Sequence, residues 1–424
     1  MKRGFYTIMS AQFFSSLADN ALFVGAVQLL RSEGAPEWQQ AALVPMFALF
    51  YVILAPFVGA FADALPKGKV MLYSNGIKIV GCLFMLFGTH PLMAYAIVGL
   101  GAAAYSPAKY GILTELLPAS QLVKANGWIE GLTISSIILG VLLGGQLLGH
   151  SVSTALLAID CPFVTTSIDT PSEAAISVLI LVYLLAAWFN TRIPHTGVEM
   201  RPMPKRLMAD FWHCNVRLWQ DRLGQISLST TTLFWGVSGN LRYIVLAWAA
   251  TALGYGVTQA SSLVGVVAIG TAVGAVVASM RMRLEDATRV MPLGIAMGLL
   301  VILLNFIDNV WLSAPFLVLL GGLGGFLVVP MNALLQHRGH NLMGAGRSIA
   351  VQNFNEQACI LGLGFLYSFS TGMGLSSFGA IAGFGILVAG FMWLIKRWHA
   401  NNVRRYPEEV EHLIEIARND HLHG

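Results

Sequence analysis

Residues 12–24 of the chain read QFFSSLADNALFV and place a carboxylate, Asp19, and an amide, Asn20, inside an otherwise apolar stretch. The stretch belongs to a run that is long enough to cross a membrane as a helix, and the two polar residues lie about halfway along it. A charged side chain at that depth costs at least ~2.5–3.5 kcal/mol, so it is retained where it has a use. Asp19 either pairs with a neighbouring helix or faces a water-filled cavity. The rest of the chain favours the cavity.

The composition indicates a membrane protein. Of the 424 residues, 56% are hydrophobic and 11% are charged, whereas soluble proteins carry about 25% charged residues. Because backbone in contact with lipid must satisfy its own hydrogen bonds, each apolar run is predicted to be a helix. There are twelve such runs, at 8–30, 41–62, 70–88, 92–113, 126–149, 174–192, 226–253, 259–280, 290–308, 312–335, 348–370 and 376–395.

The runs fall into two groups of six. We predict a first six-helix bundle at 1–192, a polar linker at 193–224, a second bundle at 225–396 and a tail at 397–424. The groups share short patterns in the same order: GAAAYSPAKY at 101–110 matches GFLVVPMNA at 325–333, and ADNAL at 18–22 matches SGNLR at 238–242. The sequence therefore predicts an all-α membrane protein with two pseudo-symmetric bundles, which is the architecture of secondary transporters.

Basic residues fix the predicted orientation, because they concentrate in the segments on one side of the membrane. Under the positive-inside rule, both termini and the linker are cytoplasmic and residues 150–173 lie outside. We expect an amphipathic helix, Leu207–Trp219, on the membrane surface within the linker. The tail is expected to form a docked helix that has Val410, Leu413, Ile414 and Ala417 on one face.

Several kinds of chemistry have no support in the sequence. Cys82, Cys161, Cys214 and Cys359 are too far apart to suggest a metal site or a disulfide framework. The ten histidines have no metal-ligand spacing, and none begins the H-x-x-x-x-D pair of a membrane-embedded acyltransferase. We therefore expect no enzyme, no cofactor, no metal and no nucleic-acid partner.

The connection between the second and third helices carries the first family resemblance. Residues 59–69 read GAFADALPKGK, which resembles the cytoplasmic loop motif of the major facilitator superfamily. A carboxylate at a helix end beside cationic side chains can form a latch that opens as the halves move. On this resemblance we predict that Asp63, Lys67 and Lys69 gate the cytoplasmic side. The alternative is a solvated turn with positive-inside lysines.

Longer segments resemble the bacterial lysophospholipid transporter family. They are SLADNAL at 16–22, GAAAYSPAKYGIL at 101–113, LVKANG at 122–127, LFWG at 233–236, VVPMNALLQ at 328–336 and IAVQN at 349–353. Arg347 departs from the pattern, since a neutral polar residue is expected there. The resemblance implies a multi-pass protein of the bacterial inner membrane. It would move lysophospholipids, chiefly lysophosphatidylethanolamine, from the outer to the inner leaflet, where an acyltransferase/acyl-carrier-protein synthetase re-acylates them.

A lysophospholipid requires a cation for its phosphate, acceptors for its head group and an apolar path for one acyl chain. Arg242 is the candidate phosphate ligand because a guanidinium binds phosphate oxygens in pairs. The alternative is an internal ion pair with Asp19. For Lys78, a structural role linked to Asn75 and a functional role remain open. The predicted substrate-binding residues are Asp19, Asn20, Tyr105, Lys109, Lys124, Glu130, Asn240, Arg242, Asn353 and Glu356.

The eleventh predicted helix carries a polar face, and the intramembrane carboxylates leave an alternative function open. Gln352, Asn355 and Glu356 share one helical face and are expected to point toward the cavity. The rival is a proton-coupled transporter of a small soluble solute or drug, in which Asp19, Glu130 or Glu356 titrates.

Overall fold

All regular structure in the described part of the chain is helical. This computed structural model describes residues 3–116, 119–159, 168–197, 199–200, 202–343 and 345–419. The first eight helices are α1 (Arg3–Ser32), α2 (Glu37–Ile53), α3 (Ala55–Ala64), α4 (Lys67–Leu86), α5 (Pro91–Leu116), α6 (Ala119–Leu147), α7 (His150–Leu157) and α8 (Pro171–Thr191). The others are α9 (Leu207–Gln220), α10 (Gly224–Ala252), α11 (Val257–Arg281), α12 (Met291–Leu303), α13 (Val310–Met343), α14 (Ala345–Gly372), α15 (Ser377–Arg405) and α16 (Pro407–Asn419). Two 3₁₀ helices, Leu284–Val290 and Leu304–Phe306, flank α12.

Apolarity and length identify a multi-pass membrane protein. Within the described residues, nine helices can cross a membrane, or ten if the bent pair α2–α3 counts as one span. Helices α10 and α14, of 29 and 28 residues, are long enough but are not in this set. Both carry polar runs, at 229–232 in α10 and 352–357 in α14. Each of the twelve predicted runs overlaps a helix or a helix pair, whereas the count of twelve spans stays a prediction.

Local sequence signals explain where several helices begin and end. Helices α2 and α3 meet at 62°, at Leu54, just before Pro56, which has no backbone N–H to continue the helix. A capping box of Thr170 and Glu173 starts α8. Gly34 lies in the connection after α1 with φ +68, a left-handed conformation that glycine adopts without strain. These features fix the lengths of the helices around the cavity.

Glycines bring the backbones of two helix pairs together. On α11, a β-carbon at Gly270 or Gly274 would collide with the backbone of Val318 or Gly322 on α13. In return, a β-carbon at Gly321 of α13 would meet the carbonyl of Val267. Gly140 and Gly144 of α6 pack against α1 in the same way. Such small-residue contacts replace the hydrophobic drive that membrane helices lack in lipid.

Buried hydrophobic side chains form separate cores in the two parts of the chain. One core contains residues 223–413 from α10 to α16. Two others consist of residues before 184, with Ile360 of α14 as the one addition. A fourth core, beneath α9, joins α3, α10, α13 and α14. The polar cavity described below lies between the parts, which also contact each other through α2 with α14 and α6 with α11.

The linker helix is present, but its apolar face packs on protein. Helix α9 buries Phe211, Cys214 and Leu218 in the fourth core, while Met208 and Trp212 are exposed, and its location on the membrane surface stays a prediction. Arg347, the departure noted in the sequence, places its Nε 3.1 Å from an Asp210 carboxylate oxygen of α9. Burial of the apolar face against α3, α13 and α14 explains the amphipathic pattern, and Arg347 holds the helix in place.

The predicted tail helix is confirmed as α16. Val410, Leu413 and Ala417 are buried on one face, and Arg418 Nε lies 2.6 Å from Glu285 Oε2 of the 3₁₀ helix before α12. We call the end of the helix assembly that carries α9 and α16 the terminal end, and the end near Gly34 the opposite end. In the segment expected to be a loop at 150–173, the structure forms α7, and Cys161 lies outside the described residues.

Candidate binding cavity

Two adjacent cavities lie between the parts of the chain. The central cavity has a volume of ≈ 340 Å³, and a larger one of ≈ 760 Å³ lies toward the opposite end. Phe23, Arg242 and Val264 line both cavities. The larger cavity is bordered by Arg31 and Tyr255 near the α1–α2 and α10–α11 connections. A solute entering from the opposite end therefore passes Arg242 before it reaches the central cavity.

Asp19 lines the central cavity and is held by two partners. Lys78 Nζ lies 2.7 Å from Asp19 Oδ2, and the Tyr183 hydroxyl donates to Asp19 Oδ1 at 2.6 Å. Lys78 also donates to the Ser15 hydroxyl at 2.9 Å, and Ser15 donates in turn to Asn75 Oδ1 at 2.7 Å. The Lys78 side chain is only 2% exposed. Asp19 thus faces the cavity and also forms an ion pair between α1 and α4. Both alternatives that the sequence left open for Asp19 therefore hold.

Arg242 contacts Asn20 and not Asp19. Its Nη1 donates to Asn20 Oδ1 at 3.0 Å, and its guanidinium lies 5.3 Å from the centre of the Phe23 ring. The ion pair with Asp19 left open by the sequence is therefore absent among the described residues. No described carboxylate forms a salt bridge with Arg242, so most of its five N–H donors remain available to an anion.

Asn240 does not belong to the cavity wall as described. Its Nδ2 donates to the carbonyls of Gly236 at 2.8 Å and Ile360 at 3.1 Å, so it links α10 to α14. The predicted substrate-binding role has no geometric support, because the amide is used in packing. Asn20, its counterpart in the first half, does line the cavity.

Lys109, Tyr110 and Glu130 form a second polar group on the cavity wall. Lys109 Nζ lies 4.2 Å from the centre of the Tyr110 ring, and the Tyr110 hydroxyl donates to Glu130 Oε1 at 2.9 Å. Lys109 and Glu130 line the cavity, yet Lys109 has no carboxylate within salt-bridge distance in the described part of the chain. Tyr110 was not predicted to lie here, since a lone tyrosine near a helix end is typical of an interface anchor.

Tyr105 and Lys124 complete the predicted residues of the first half. Tyr105 lines the cavity, and its ring centre is 5.1 Å from Lys78 Nζ. Its buried hydroxyl has no hydrogen-bond partner among the described residues. For Lys124, only the helical backbone within α6 is described, so its side chain lies outside what can be assigned.

The polar stripe of α14 packs against other helices. Gln352 Nε2 donates to Asn332 Oδ1 of α13 at 2.6 Å and to Glu356 Oε1 at 2.8 Å. Asn355 donates to Asn215 of α9 at 2.8 Å. The expectation that this stripe faces the cavity is therefore not met, because Gln352 and Asn355 bond to neighbouring helices and Glu356 bonds to Gln352 of its own helix. Asn353 donates to the Ser106 hydroxyl of α5 at 2.8 Å, and Ser106 is a cavity residue.

The predicted gate is partly assembled at the terminal end. Lys67 Nζ lies 2.8 Å from Asp63 Oδ1 and 3.6 Å from Glu115 Oε1. Asp63 also abuts Gly346, where a β-carbon would lie 2.6 Å from its carboxylate. Lys69 is exposed and forms no ion pair with the described residues. The group that joins α3 to α14 is therefore Asp63 with Lys67 and Glu115, and Lys69 is not part of it.

Most of the remaining wall is apolar and comes from the second half, with Ser238, Thr271 and Gln357 as polar members. Val267 of α11, Met297 of α12 and Leu320 and Val328 of α13 line it, opposite the polar groups of α1, α4, α5 and α6. The described residues contain no group of His, Cys, Asp or Glu side chains that could hold a metal ion. The cavity as a whole suits an amphiphile with an anionic polar part, since cations and hydrocarbon face each other across it.

Comparison with known proteins agrees with the helical membrane fold. A family model described as Major Facilitator Superfamily matches residues 8–362. The chain is similar in fold to the human organic anion transporter MFSD10 (TETRAN), with a TM-score of 0.67 at 14% identity over 94% of this chain and 100% of that one. It is also similar to a bacterial homologue of the iron transporter ferroportin in the outward-facing state, with a TM-score of 0.67 at 14% identity over 95% and 100%.

Sequence relatives narrow the family further. The chain is 39% identical over 380 residues to the lysophospholipid transporter LplT of Yersinia pestis (strain Pestoides F), covering 88% of each chain. The LplT of Yersinia pseudotuberculosis serotype O:3 (strain YPIII) has the same identity and coverage. The chain therefore belongs to the Major Facilitator Superfamily and, within it, to the family that contains these LplT proteins.

Proposed function

We propose that this protein transports lysophospholipids across the membrane, with lysophosphatidylethanolamine as the chief substrate. The observation that carries the proposal is the central cavity, where Arg242 and Lys109 have no carboxylate in salt-bridge distance among the described residues and face an apolar wall. The relatives named LplT supply the substrate class. In the proposed complex the phosphate lies on the cations and the acyl chain lies along α11–α13.

The chemistry of Arg242 fits a phosphodiester. A guanidinium offers a planar fork that binds two phosphate oxygens at once, and these charge-assisted hydrogen bonds are stronger than neutral ones. Arg242 uses one of its N–H groups on Asn20, which orients the guanidinium without neutralising it. Its position on both cavities makes it the first cation of the central cavity that an entering head group meets.

The proposed mechanism is alternating access by two six-helix bundles, 1–192 and 225–396, joined by the linker 193–224 and followed by the tail 397–424. Separate hydrophobic cores in the two parts support their movement as units. Contacts near the terminal end, from Asp63 to Gly346 and from Asn353 to Ser106, support closure there. The larger cavity at the opposite end supports entry from that side.

Orientation and direction follow from charge. If the basic terminal end is cytoplasmic, as the positive-inside rule requires, substrate enters from the outer leaflet of the bacterial inner membrane. Inside, an acyltransferase/acyl-carrier-protein synthetase would consume it, so net flow runs downhill by mass action. The protein then lowers the barrier for the charged head group, which hydrocarbon excludes strongly, and needs no ion gradient or catalytic group of its own.

Glu356 supports a second candidate, proton-coupled transport of a small soluble solute or drug. This carboxylate is buried in α14 and bonds to Gln352, while no described lysine or arginine forms a salt bridge with it. A buried charge without an oppositely charged partner is costly. Such a group could exchange protons between states.

Leaflet-resolved uptake tests the proposal. Spheroplasts that lack other lysophospholipid flippases receive fluorescent lysophosphatidylethanolamine in the outer leaflet, and the fraction protected from an impermeant quencher is followed with time. We expect protection to rise when the chain is expressed and to fall when unlabelled lysophospholipid competes. No rise at confirmed membrane expression would refute lysophospholipid transport, and competition by a soluble solute alone would favour the second candidate.

A further inference from the structure

Lys78 lies in a pocket that has the ligands of an ammonium-binding site. Its Nζ is 2.7 Å from Asp19 Oδ2 and 2.9 Å from the Ser15 hydroxyl oxygen. The same Nζ lies 5.1 Å from the centre of the Tyr105 ring and 5.7 Å from that of Tyr183. A carboxylate, a hydroxyl and two aromatic faces are the groups that recognise an organic ammonium ion.

The occupancy of this pocket pairs the charge of Asp19 and gives each of its carboxylate oxygens a hydrogen bond. Lys78 holds one carboxylate oxygen and the Tyr183 hydroxyl holds the other. The pair carries no net charge, and the Lys78 side chain is buried. An ammonium group that enters this pocket would have to displace the tethered ammonium of Lys78, which is already bound there.

The pairing of Lys78 with Asp19 determines the net charge of this part of the cavity. Among its described lining residues, three are cationic (Lys78, Lys109, Arg242) and two are carboxylates (Asp19, Glu130). With Lys78 in place, the region near Asp19 is neutral. Without Lys78, the uncompensated Asp19 would attract an amine and repel a head group that carries only a phosphate.

We propose that Lys78 is the built-in occupant of an ammonium site and thereby a specificity-determining residue: it prevents Asp19 from selecting head groups by their amine. The consequence for head groups rests on the proposed lysophospholipid transport, whereas the ammonium site itself does not. Arg242 and the phosphate then determine binding, and the amine of ethanolamine contributes little.

The ammonium site is tested by chemical rescue without any lipid. Lys78→Ala removes the side chain beyond the β-carbon, which corresponds to a propylammonium ion. We expect the purified variant to have a lower Tm than the unaltered protein. Millimolar propylammonium should restore at least about half of the lost Tm, because a ligand that binds only the folded state stabilises it. The unaltered protein and the exposed-lysine control Lys396→Ala should not respond, and neither should Lys78→Ala combined with Asp19→Asn. Rescue that is absent, or equal in the double variant, would overturn the assignment.

Head-group specificity is tested by competition binding of lysophosphatidylethanolamine and lysophosphatidylglycerol to purified protein. Lys78→Met should shift the ratio of affinities toward the ethanolamine lipid by about tenfold or more, as an unpaired buried carboxylate predicts. Lys78→Met combined with Asp19→Asn, which is neutral and keeps the volume, should leave the ratio within about threefold of the unaltered protein. A selective loss of the ethanolamine lipid in the double variant would show that Asp19 already reads the amine and would refute the proposal. Binding of neither lipid by the unaltered protein contradicts the proposed function, while the rescue experiment still decides the ammonium site.

Discussion

Arg242→Lys tests whether the guanidinium fork, and not merely a positive charge, binds the phosphate. Arg242 spends one N–H on Asn20 and has no described carboxylate partner, so two parallel N–H groups can reach a phosphate. Lysine keeps the charge but cannot make the paired contact from one position. Losing one charge-assisted hydrogen bond costs ~1.5–3 kcal/mol. At ~1.4 kcal/mol for each factor of ten, affinity should fall by about 10- to 150-fold.

The assay is initial uptake of lysophosphatidylethanolamine into spheroplasts over a range of concentrations, with membrane expression matched by immunoblot. Arg283→Lys is the control, because that arginine is 81% exposed and lies away from the cavity. We expect the control to match the unaltered protein. If Arg242→Lys transports within about threefold of the unaltered protein, the paired contact of the guanidinium is refuted and a positive charge alone suffices. A threefold change is smaller than the loss of one hydrogen bond to a charged group would cause.

Three further predictions follow from topology, energetics and packing. In a variant without the four natural cysteines, an impermeant thiol reagent should label a cysteine at exposed Ser151 but not at His195 in intact spheroplasts; the reverse pattern would invert the orientation. Uptake should persist when a protonophore collapses the proton gradient at constant ATP, and Asp19→Asn should weaken it by leaving Lys78 unpaired; a large loss with protonophore would support symport. Gly274→Ala should destabilise the purified protein by ~1–3 kcal/mol through overpacking against α13, measured as a fall in Tm. Gly383→Ala is the control and should not lower the Tm, because its β-carbon meets nothing within 4 Å. Equal Tm values for the two variants would contradict the close backbone contact at Gly274.

The fold could be predicted to a large extent from the sequence because the bilayer restricts the choices. Apolar runs of about 20 residues must be helices in lipid, and each predicted run overlaps one helix or a helix pair. The tail helix followed from the spacing of Val410, Leu413 and Ala417 on one face. The same periodicity identified α9 but could not identify its neighbour, because an apolar face suits lipid and protein equally. Arg347 was the available signal, since it lies where the family pattern lacks a charge and Asp210 is its partner.

Side-chain partners within the membrane were harder to predict. Asp19 and Lys78 are far apart in the sequence, and only the rotation of α1 and α4 about their axes brings them within 2.7 Å. Asn240 and Glu356 were assigned to the cavity because polar residues in membrane helices often face water. Asn240 instead donates to the Ile360 carbonyl of the neighbouring α14, and Glu356 accepts from Gln352 of its own helix. A polar residue in a span therefore indicates a partner, but the sequence alone does not tell whether that partner is ligand or protein.

Asn20 and Asn240, which correspond in the matching sequence patterns at 18–22 and 238–242, have different surroundings, and this difference matches an amphiphilic substrate. Asn20 faces the cavity and orients Arg242, whereas its counterpart Asn240 is buried against α14. The first half thus supplies most polar groups of the wall, and α11–α13 supply the apolar side. A substrate with one charged end and one hydrocarbon chain requires such a division. A wholly apolar wall would not solvate the charged end, and a wholly polar wall would not suit the hydrocarbon chain. Arg242 is the exception, a cation on the apolar half. It lies where the two cavities meet, so a phosphate can bind there while the chain already contacts the apolar wall.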